Sequence, residues 1–273
     1  MRGLSGDRYM SIQSMFDLKG KTIIITGGSG YLGKAMSEAL VAFGANLFIV
    51  GSNAEKNSNY ARYLKEKYIN SNCEGLCVNI DDEKSINKAF EYIYTKTGSI
   101  DVLVNNAAYS RAGRVENISN DDWCKGIDGT INGVFRTTKV ALKYMIHLNK
   151  GNIINIASMY GVVAPDPSIY GDSGYDNPAN YGAGKAAIIQ FTRYIAATYG
   201  NIGIRANAIS PGTFPSETVQ TNEMFVKRLC AKNPMGRIGV PSDLQGIVVF
   251  LVSDSSRYLT GQNIAVDGGW TSW

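Results

Sequence analysis

The length, composition and charge of this chain limit what it can be. Its 273 residues, 44% of them hydrophobic, can bury the core of one full-sized domain. The net charge is only +4 and no sustained basic run is present, so a nucleic-acid partner is not expected. No apolar stretch is long enough to span a bilayer, and the polar N-terminus lacks the apolar centre of a secretion signal, so we expect a cytoplasmic protein without a membrane partner.

Short apolar runs alternate with longer amphipathic segments along the chain. The runs predicted as buried strands are KTIIIT, NLFIV, DVLVNN, GNIINIA, IRANAIS and QNIAVDG. Helices are predicted at 33–43, 54–69, 82–96, 121–148, 179–199 and 242–252. The alternation predicts an α/β fold, a Rossmann-type doubly wound parallel sheet with helices on both faces. We expect residues 1–15 to form a flexible extension or a subunit contact, and 16–273 to form a single domain.

The first predicted strand ends in a Gly-rich turn, TGGSGYLG, at residues 26–33. Ligands of parallel sheets bind at the carboxyl ends of the strands. Gly27 and Gly30 permit a tight turn and a close backbone approach, and Gly33 lets the following helix pack against the strand. The amides at that helix N-terminus suit a pyrophosphate. The turn therefore predicts a dinucleotide site, with a tight connection that binds nothing as the alternative.

The end of the second predicted strand bears on which dinucleotide is bound. Residues 50–53 carry no carboxylate, whereas NAD enzymes of this architecture commonly place Asp or Glu there to bind the ribose hydroxyls. Gly51, Ser52 and Asn53 leave room for a 2′-phosphate, and Lys56 is a candidate counterion. We therefore favour NADP(H) over NAD(H), although no arginine is present to bind the phosphate.

Tyr181 and Lys185, in YGAGK, form a candidate acid–base pair. Positions i and i+4 share one face of a helix. At ~5 Å and an effective dielectric of ~20, the ammonium stabilises a phenolate by roughly 3 kcal/mol, which would lower the pKa of Tyr181 by about two units. We expect Tyr181 to exchange a proton with an alcohol or carbonyl. Taken alone, the pair also fits an ordinary amphipathic surface.

Cysteines and histidine give little support for metal chemistry. The four cysteines do not have a zinc-ribbon spacing, so no metal is expected. Cys73 and Cys77 are predicted to be small core residues that flank a buried strand. His147 is the only histidine, which disfavours a Ser-His-Asp triad. We expect it near the end of a long helix, where a cation suits the helix dipole.

Five motifs in order make the chain resemble the short-chain dehydrogenase/reductase family, from about Phe16 to the C-terminus. They are NNAA at 105–108, NIASMYG with Ser158, YGAGK, SPGTFPSE at 210–217 and GQNIAVDGGW. The resemblance implies a single-domain, NAD(P)-dependent oxidoreductase. It implies that Tyr181 exchanges a proton with the substrate oxygen while hydride moves between the substrate carbon and nicotinamide. Lys185 would lower the phenol pKa and bind the nicotinamide ribose, and Ser158 would hydrogen-bond the substrate oxygen.

The same resemblance implies a set of cofactor contacts and an oligomer. The expected contacts are Gly27, Ser29, Gly30, Tyr31, Leu32, Gly33, Ser52, Asn53, Asn79, Ile80, Asn106, Ala107, Ala108, Tyr181, Lys185, Pro211, Gly212 and Thr213. Family members are usually dimers or tetramers through two long helices, here about 121–148 and 179–199. A homo-oligomer, either a dimer or a homotetramer, is therefore expected.

Two departures from the family pattern concern the turn and the proton relay. The glycine spacing is that of the extended branch, which contains sugar-nucleotide epimerases and dehydratases. Too few residues follow Lys185 for the second domain of that branch, so we interpret the spacing as a turn variant. Thr130 stands where the family usually has a relay asparagine. Asn132 would lie on roughly the opposite helix face, so we expect any relay to use the Thr130 carbonyl and a water.

A third departure is an insert of about ten residues between Ser158 and Tyr181. We expect this segment, within a substrate loop at 159–180, to overhang the pocket and to present Tyr170 and Tyr175 to the substrate. Its polar side chains suit a hydroxylated substrate; a solvated loop is the alternative.

The insert and the SPGTFPSE segment also resemble bacterial family members of sugar or polyol metabolism and of surface-glycan or flagellin modification. The expected partner is a small-molecule substrate. A carbonyl reductase of the 3-oxoacyl-carrier-protein type is the alternative enzyme. A non-catalytic dinucleotide-sensing module is the alternative of another class.

Overall fold

The computed structural model describes residues 11–173 and 175–272. Residues 1–10 of the expected N-terminal extension, Gly174 of the substrate loop and Trp273 lie outside the described residues. The described residues form one seven-stranded parallel sheet in the order β3-β2-β1-β4-β5-β6-β7. The strands are β1 (Thr22–Thr26), β2 (Asn46–Gly51), β3 (Asn72–Cys77), β4 (Val102–Asn105), β5 (Gly151–Ile156), β6 (Ile204–Pro211) and β7 (Asn263–Val266).

Helices cover both faces of the sheet, as predicted. They are α1 (Tyr31–Ala42), α2 (Ala54–Lys67), α3 (Glu83–Thr97), α4 (Asn120–Ile127), α5 (Gly133–Leu148), α6 (Pro167–Tyr170), α7 (Ala179–Tyr199), α8 (Glu217–Gln220), α9 (Glu223–Lys232) and α10 (Gln245–Val252). Along β1 the apolar side chains alternate between two cores: Ile23 and Ile25 pack with α1 and α10, and Ile24 packs with α3 and α5. Within the described residues, no helix combines the length and apolar character that crossing a membrane requires.

Several predicted elements differ in detail. The predicted helix at 121–148 is interrupted by a π-helical turn, Asp128–Asn132, between α4 and α5. Helix α10 begins at Gln245 because a 3-10 turn, Pro241–Leu244, precedes it. Helix α9 was not predicted, since it is short and buries only Phe225 and Leu229.

The expectation for the cysteines was correct for Cys73 and wrong for Cys77. Strand β3 lies at the edge of the sheet, and only one of its side chains is fully buried. That residue is Cys73, whose burial raises the pKa of the thiol to about 12. Cys77 is exposed because it lies at the carboxyl end of this edge strand. His147 lies in the last turn of α5, as expected.

Candidate active site

The Gly-rich turn lies between β1 and α1, at the carboxyl edge of the sheet. Gly27 has a φ of 63°, in the left-handed region that favours glycine. A Cβ at Gly33 would lie 2.1 Å from the Gly27 carbonyl oxygen, so α1 packs against the turn only because Gly33 has no side chain. Helix α1 begins after Gly30, and its first-turn amides have no helical carbonyl to pair with. The turn is therefore built to accept an anion at its helix N-terminus.

Asn106 fixes this turn from the neighbouring strand. Its side-chain amide donates to the carbonyls of Thr26 and Gly27 at 3.1 and 3.0 Å. The backbone N–H groups of Asn106 and Ala107 both donate to the Thr26 hydroxyl at 2.9 Å. The NNAA segment after β4 therefore holds the loop after β1 in place.

Asn57, on α2, links the turn to two further strands and was not predicted. Ser29 donates to its side-chain oxygen at 2.6 Å. The Asn57 amide group donates to the carbonyls of Gly51 and Leu76, at 3.0 and 2.9 Å. Ser29 was expected to contact the cofactor, but its hydroxyl is engaged inside the protein. A lone asparagine near the start of a helix gives no sequence signal for such a role.

A cleft of about 500 Å³ lies across the carboxyl ends of β1 to β4. Most of the expected cofactor residues line it, namely Gly27, Gly30, Tyr31, Leu32, Gly33, Ser52, Asn79, Ile80, Asn106, Ala107 and Ala108. Gly51, expected to leave room for a 2′-phosphate, also lines it, as do Val78, Asp81 and Tyr109, which were not predicted. The volume lies in the range of ligand and cofactor sites. The cleft and the helix N-terminus within it fit a dinucleotide.

A second cleft, of about 690 Å³, adjoins the first and shares Gly30 and Tyr31 with it. It carries two lysines, Lys34 and Lys56, and three tyrosines, one of which is Tyr60. The Lys34 ammonium lies 5.5 Å from the centroid of the Tyr60 ring. A smaller neighbouring cleft contains both lysines and Asn53. Lys34 and the predicted Lys56 therefore lie near the end of β2, in a cleft that also contains Glu217 and a Glu38 carboxylate paired with Lys67.

Lys185 is held at the centre of the predicted catalytic group. Its side chain is buried in α7, and its ammonium donates to the Ile156 carbonyl at 2.6 Å. The same nitrogen lies 5.5 Å from the centroid of the Tyr181 ring. Burial lowers the pKa of Lys185 to about 8. The end of β5 and the first turns of α7 thus meet at this lysine.

The prediction that the pKa of Tyr181 is lowered is wrong. The protein's own groups raise it. Burial raises the pKa of Tyr181, and the Ser158 side chain lowers it by less. The Lys185 ammonium is bonded to a backbone carbonyl and is itself destabilised by burial. Desolvation therefore outweighs the charge effect that the i, i+4 spacing suggested.

Ser158 follows β5 and is almost fully buried. Its hydroxyl oxygen accepts the N–H of Tyr160 at 3.1 Å and so caps the 3-10 turn Met159–Gly161. A serine hydroxyl has one hydrogen and two lone pairs. One lone pair is used by Tyr160, and the side-chain hydrogen bond between Ser158 and Tyr181 places this hydroxyl beside the phenol. The structure thus brings Ser158, Tyr181 and Lys185 together, as the sequence predicted.

Thr130 lies in the π-helical turn and is completely buried. Its hydroxyl donates to the Gly126 carbonyl at 2.9 Å. A Cβ at Gly184 would lie 2.0 Å from that hydroxyl oxygen, so Thr130 packs directly on α7, one residue before Lys185. Asn132 instead donates to the Asp128 carboxylate at 2.8 Å. Thr130, rather than Asn132, therefore lies beside the predicted catalytic residues of α7.

The insert packs onto α9. This packing does not fit the alternative of a solvated loop. Ile169 is buried in a cluster that includes Phe225. The rings of Tyr170 and Tyr175 lie 5.8 and 5.0 Å from the Phe225 ring.

Two ion pairs also join the insert to α9. The Asp166 carboxylate lies 3.0 Å from the Lys232 ammonium, and the Asp172 carboxylate lies 2.6 Å from the Arg228 guanidinium. The contact was missed from sequence because α9 itself was not predicted.

The remaining predicted residues, Pro211, Gly212 and Thr213, lie at the end of β6 and in the loop that follows it. The Gly212 N–H donates to the Val266 carbonyl at 3.0 Å, and a Cβ at Gly212 would lie 2.5 Å from Asp267 Cα. Pro211 ends β6 at the carboxyl edge of the sheet. Thr213 lines a separate cavity of about 200 Å³. This loop is therefore tied to β7, and it does not line the main cleft.

Comparison with known proteins shows the family to which this chain belongs. The family described as Enoyl-(Acyl carrier protein) reductase matches residues 29–271. The chain is 32% identical over 253 residues to 3-oxoacyl-[acyl-carrier-protein] reductase FabG of Aquifex aeolicus (strain VF5), covering 92% of this chain and 98% of that protein. The chain belongs to the short-chain dehydrogenase/reductase family. It is accordingly an NAD(P)-dependent oxidoreductase, and the predicted family and fold are confirmed.

Solved structures of the family share the fold over nearly the whole chain. A gluconate 5-dehydrogenase from Burkholderia cenocepacia J2315, in complex with NADP and tartrate, is 29% identical with a TM-score of 0.85, covering 96% of this chain and 100% of that one. A xylitol dehydrogenase with bound NAD+ is 28% identical with a TM-score of 0.83, covering 92% of this chain and 99% of that one. Both agree with a single-domain short-chain enzyme.

Proposed function

We propose that this short-chain dehydrogenase/reductase interconverts a ketone and a secondary alcohol on a small hydroxylated substrate of the sugar or polyol type, with NADP(H) as its cofactor. The observation that carries the proposal is the convergence of Ser158, Tyr181 and Lys185 at the end of β5, the strand beside β4, whose carboxyl end lines the cleft. The cofactor supplies or accepts the hydride at the reacting carbon. We assign its binding to the Gly-rich turn, the ends of β2 to β4, Lys185 and the loop after β6.

The proton is handled by Tyr181. Burial keeps its hydroxyl protonated at neutral pH, which suits donation to the oxygen of a ketone. Ser158 donates a hydrogen bond to the same oxygen, so that the charge developing there meets a fixed donor. Lys185, 5.5 Å from the ring, stabilises the phenolate that donation leaves behind. Thr130 supports α7 at this point, and its backbone carbonyl is our candidate for continuing a proton relay.

The preference for NADP(H) rests on residues of this chain. The two related structures bind different dinucleotides, NADP and NAD+. The end of β2 in this chain lacks a carboxylate, and Lys34 and Lys56 line the adjoining cleft. A 2′-phosphate would therefore have two cationic side chains within reach, while the Glu38 carboxylate of the same cleft is already paired with Lys67.

The substrate class is supported by the insert and by one relative. The xylitol dehydrogenase acts on a polyol, as its name states. The insert carries phenol groups and ion-paired carboxylates, and its apolar side chains are used in packing on α9. The 32% sequence identity to FabG favours a 3-oxoacyl-carrier-protein reductase as the second candidate. An acyl chain would require apolar walls where this chain carries the insert.

A homo-oligomer is also proposed. Helices α5 and α7 leave large apolar side chains exposed, among them Phe135 and Tyr194. Apolar surface of this kind commonly marks a protein contact. Light scattering tests this directly, since a monomer would contradict it. A cytoplasmic location stays a prediction from the sequence.

The decisive test titrates the protein with NADPH and with NADH, and then adds hydroxylated ketones or 3-oxoacyl thioesters to the complex. Saturable NADPH binding with faster turnover of hydroxylated ketones supports the proposal. Faster turnover of the thioesters would favour the second candidate. Binding without turnover of any carbonyl would favour the sensing module instead.

A further inference from the structure

Tyr160 is fixed between two of the proposed catalytic residues. Its N–H donates to the Ser158 hydroxyl oxygen at 3.1 Å. Its carbonyl oxygen lies 3.1 Å from the point that a Cβ on Gly182 would occupy, so its backbone contacts α7 one residue after Tyr181. The position of Tyr160 is therefore set by the same elements that set the catalytic group.

The insert brings a second phenol to this place. The Tyr170 hydroxyl lies 2.8 Å from the Tyr160 hydroxyl. Tyr170 itself is held by Phe225, whose ring lies 5.8 Å away, and its carbonyl accepts a long hydrogen bond from Arg228 at 3.4 Å. Family members without the insert cannot form this pair, because Tyr170 belongs to it.

The two hydroxyls leave hydrogen-bonding capacity unused. A pair of phenols has two hydrogens, and one is spent on the bond between them. Among the residues that the structure describes, neither hydroxyl has another hydrogen-bond partner. The pair borders an apolar cluster that includes Met159 and Phe225, so a group that bonds to it would do so in surroundings of low polarity, where such bonds are strong.

The pair is also uncharged and electrostatically close to Tyr181. Burial raises the pKa of Tyr160 and of Tyr170, and negative charge on Tyr181 would raise both further. Both phenols therefore stay neutral under physiological conditions. A neutral donor and acceptor pair matches an uncharged hydroxyl better than a phosphate or a carboxylate, which call for cationic partners.

We propose that the Tyr160–Tyr170 hydroxyl pair binds a neutral hydroxyl group of the substrate close to the reacting carbon, and thereby selects hydroxylated ketones over their deoxy counterparts. The inference rests on the proposed function, because it assumes that Tyr181 and Ser158 hold the reacting oxygen. The pair contributes to substrate discrimination. The proton step remains with Tyr181.

The test compares two ketones of nearly equal shape, hydroxyacetone and butanone, in which a hydroxyl replaces a methyl group. Reduction with NADPH is measured for wild-type enzyme and for Tyr160→Phe, Tyr170→Phe and Tyr94→Phe. The last is the matched control, because Tyr94 is a partly buried phenol that packs on Tyr144 in a different cluster and its hydroxyl is not part of the pair. Thermal unfolding of each variant checks that it is folded.

The proposal predicts that wild-type enzyme prefers hydroxyacetone, and that each pair variant lowers the ratio of kcat/KM for hydroxyacetone over butanone about tenfold, mainly through KM. The control should keep the wild-type ratio. An equal loss for both ketones, or an unchanged ratio, would overturn the inference and leave the proposed function standing. Wild-type enzyme that binds NADPH but reduces neither ketone would instead reject the proposed function, and this inference with it.

Discussion

The ammonium of Lys185 lies 2.6 Å from the carbonyl oxygen of Ile156. This bond fixes the proposed catalytic cation to the last residue of β5, two residues before Ser158. Helix α7 carries both Lys185 and Tyr181, so a single contact between strand and helix sets the spacing of all three proposed catalytic groups. The bond also explains why the cation does not simply pair with the phenol.

The pH dependence of ketone reduction should report Lys185. Burial lowers its pKa to about 8, so the side chain is charged below that pH and loses its proton as the pH rises through it. Loss of the charge removes stabilisation of the Tyr181 phenolate, and kcat/KM for reduction should therefore fall above about pH 8. A pH–rate profile with saturating NADPH measures this. A profile without a break between pH 7 and 9 would show that Lys185 does not titrate there.

Removing the lysines beside the cofactor cleft should change the preference for NADPH. We expect Lys34→Ala and Lys56→Ala each to raise the Kd for NADPH about tenfold, because each removes a charge-assisted contact to the 2′-phosphate. The Kd for NADH should change little. Fluorescence titration measures both constants. Lys65→Ala is the control, since Lys65 lies on α2 with Lys56 but lines a different cleft. Equal weakening of both dinucleotides would argue against phosphate recognition.

Asn57 should matter for stability far more than its type and position suggest. Asn57→Ala leaves the half-buried carbonyls of Gly51 and Leu76 without this donor. Each such loss costs about 1–3 kcal/mol, so the free energy of unfolding should fall by roughly 2–6 kcal/mol. Urea unfolding measures this, with Asn59→Ala as an exposed control on the same helix. A loss no larger than that of the control would mean that water replaces the side chain without cost.

The contact between Thr130 and α7 should tolerate no added volume. In Gly184→Ala the new methyl would lie 2.0 Å from the Thr130 hydroxyl oxygen. Overpacking of this kind costs about 1–3 kcal/mol. The double variant with Thr130→Ala should recover part of the loss, which a double-mutant cycle in urea measures. Strictly additive losses would mean that the two residues do not interact.

The features that were predicted correctly are those that depend on residues close together in the sequence. The Gly-rich turn could be recognised because three glycines at fixed spacing meet a steric need, as Gly33 shows against the Gly27 carbonyl. The strands could be recognised because buried parallel strands are continuous apolar runs. Tyr181 and Lys185 could be paired because helix periodicity places them on one face.

The features that were missed depend on contacts between distant segments. The direction of the Tyr181 pKa shift follows from burial, which the i, i+4 spacing does not report. Asn57 acquires its role because β2, β3 and the Gly-rich turn end around it. The packing of the insert depends on Phe225, more than forty residues further along the chain. Exposure of Cys77 follows from the position of β3 at the sheet edge.

Tyr181→Phe tests the central claim most directly, because it removes one hydroxyl and keeps the ring beside Lys185. The measurement is NADPH binding by fluorescence together with turnover of a hydroxylated ketone. We predict an unchanged Kd for NADPH and a loss of kcat of at least about a hundredfold, the lower range for a positioned acid. Retention of substantial turnover, with NADPH still bound, would show that another group donates the proton and would contradict the catalytic assignment.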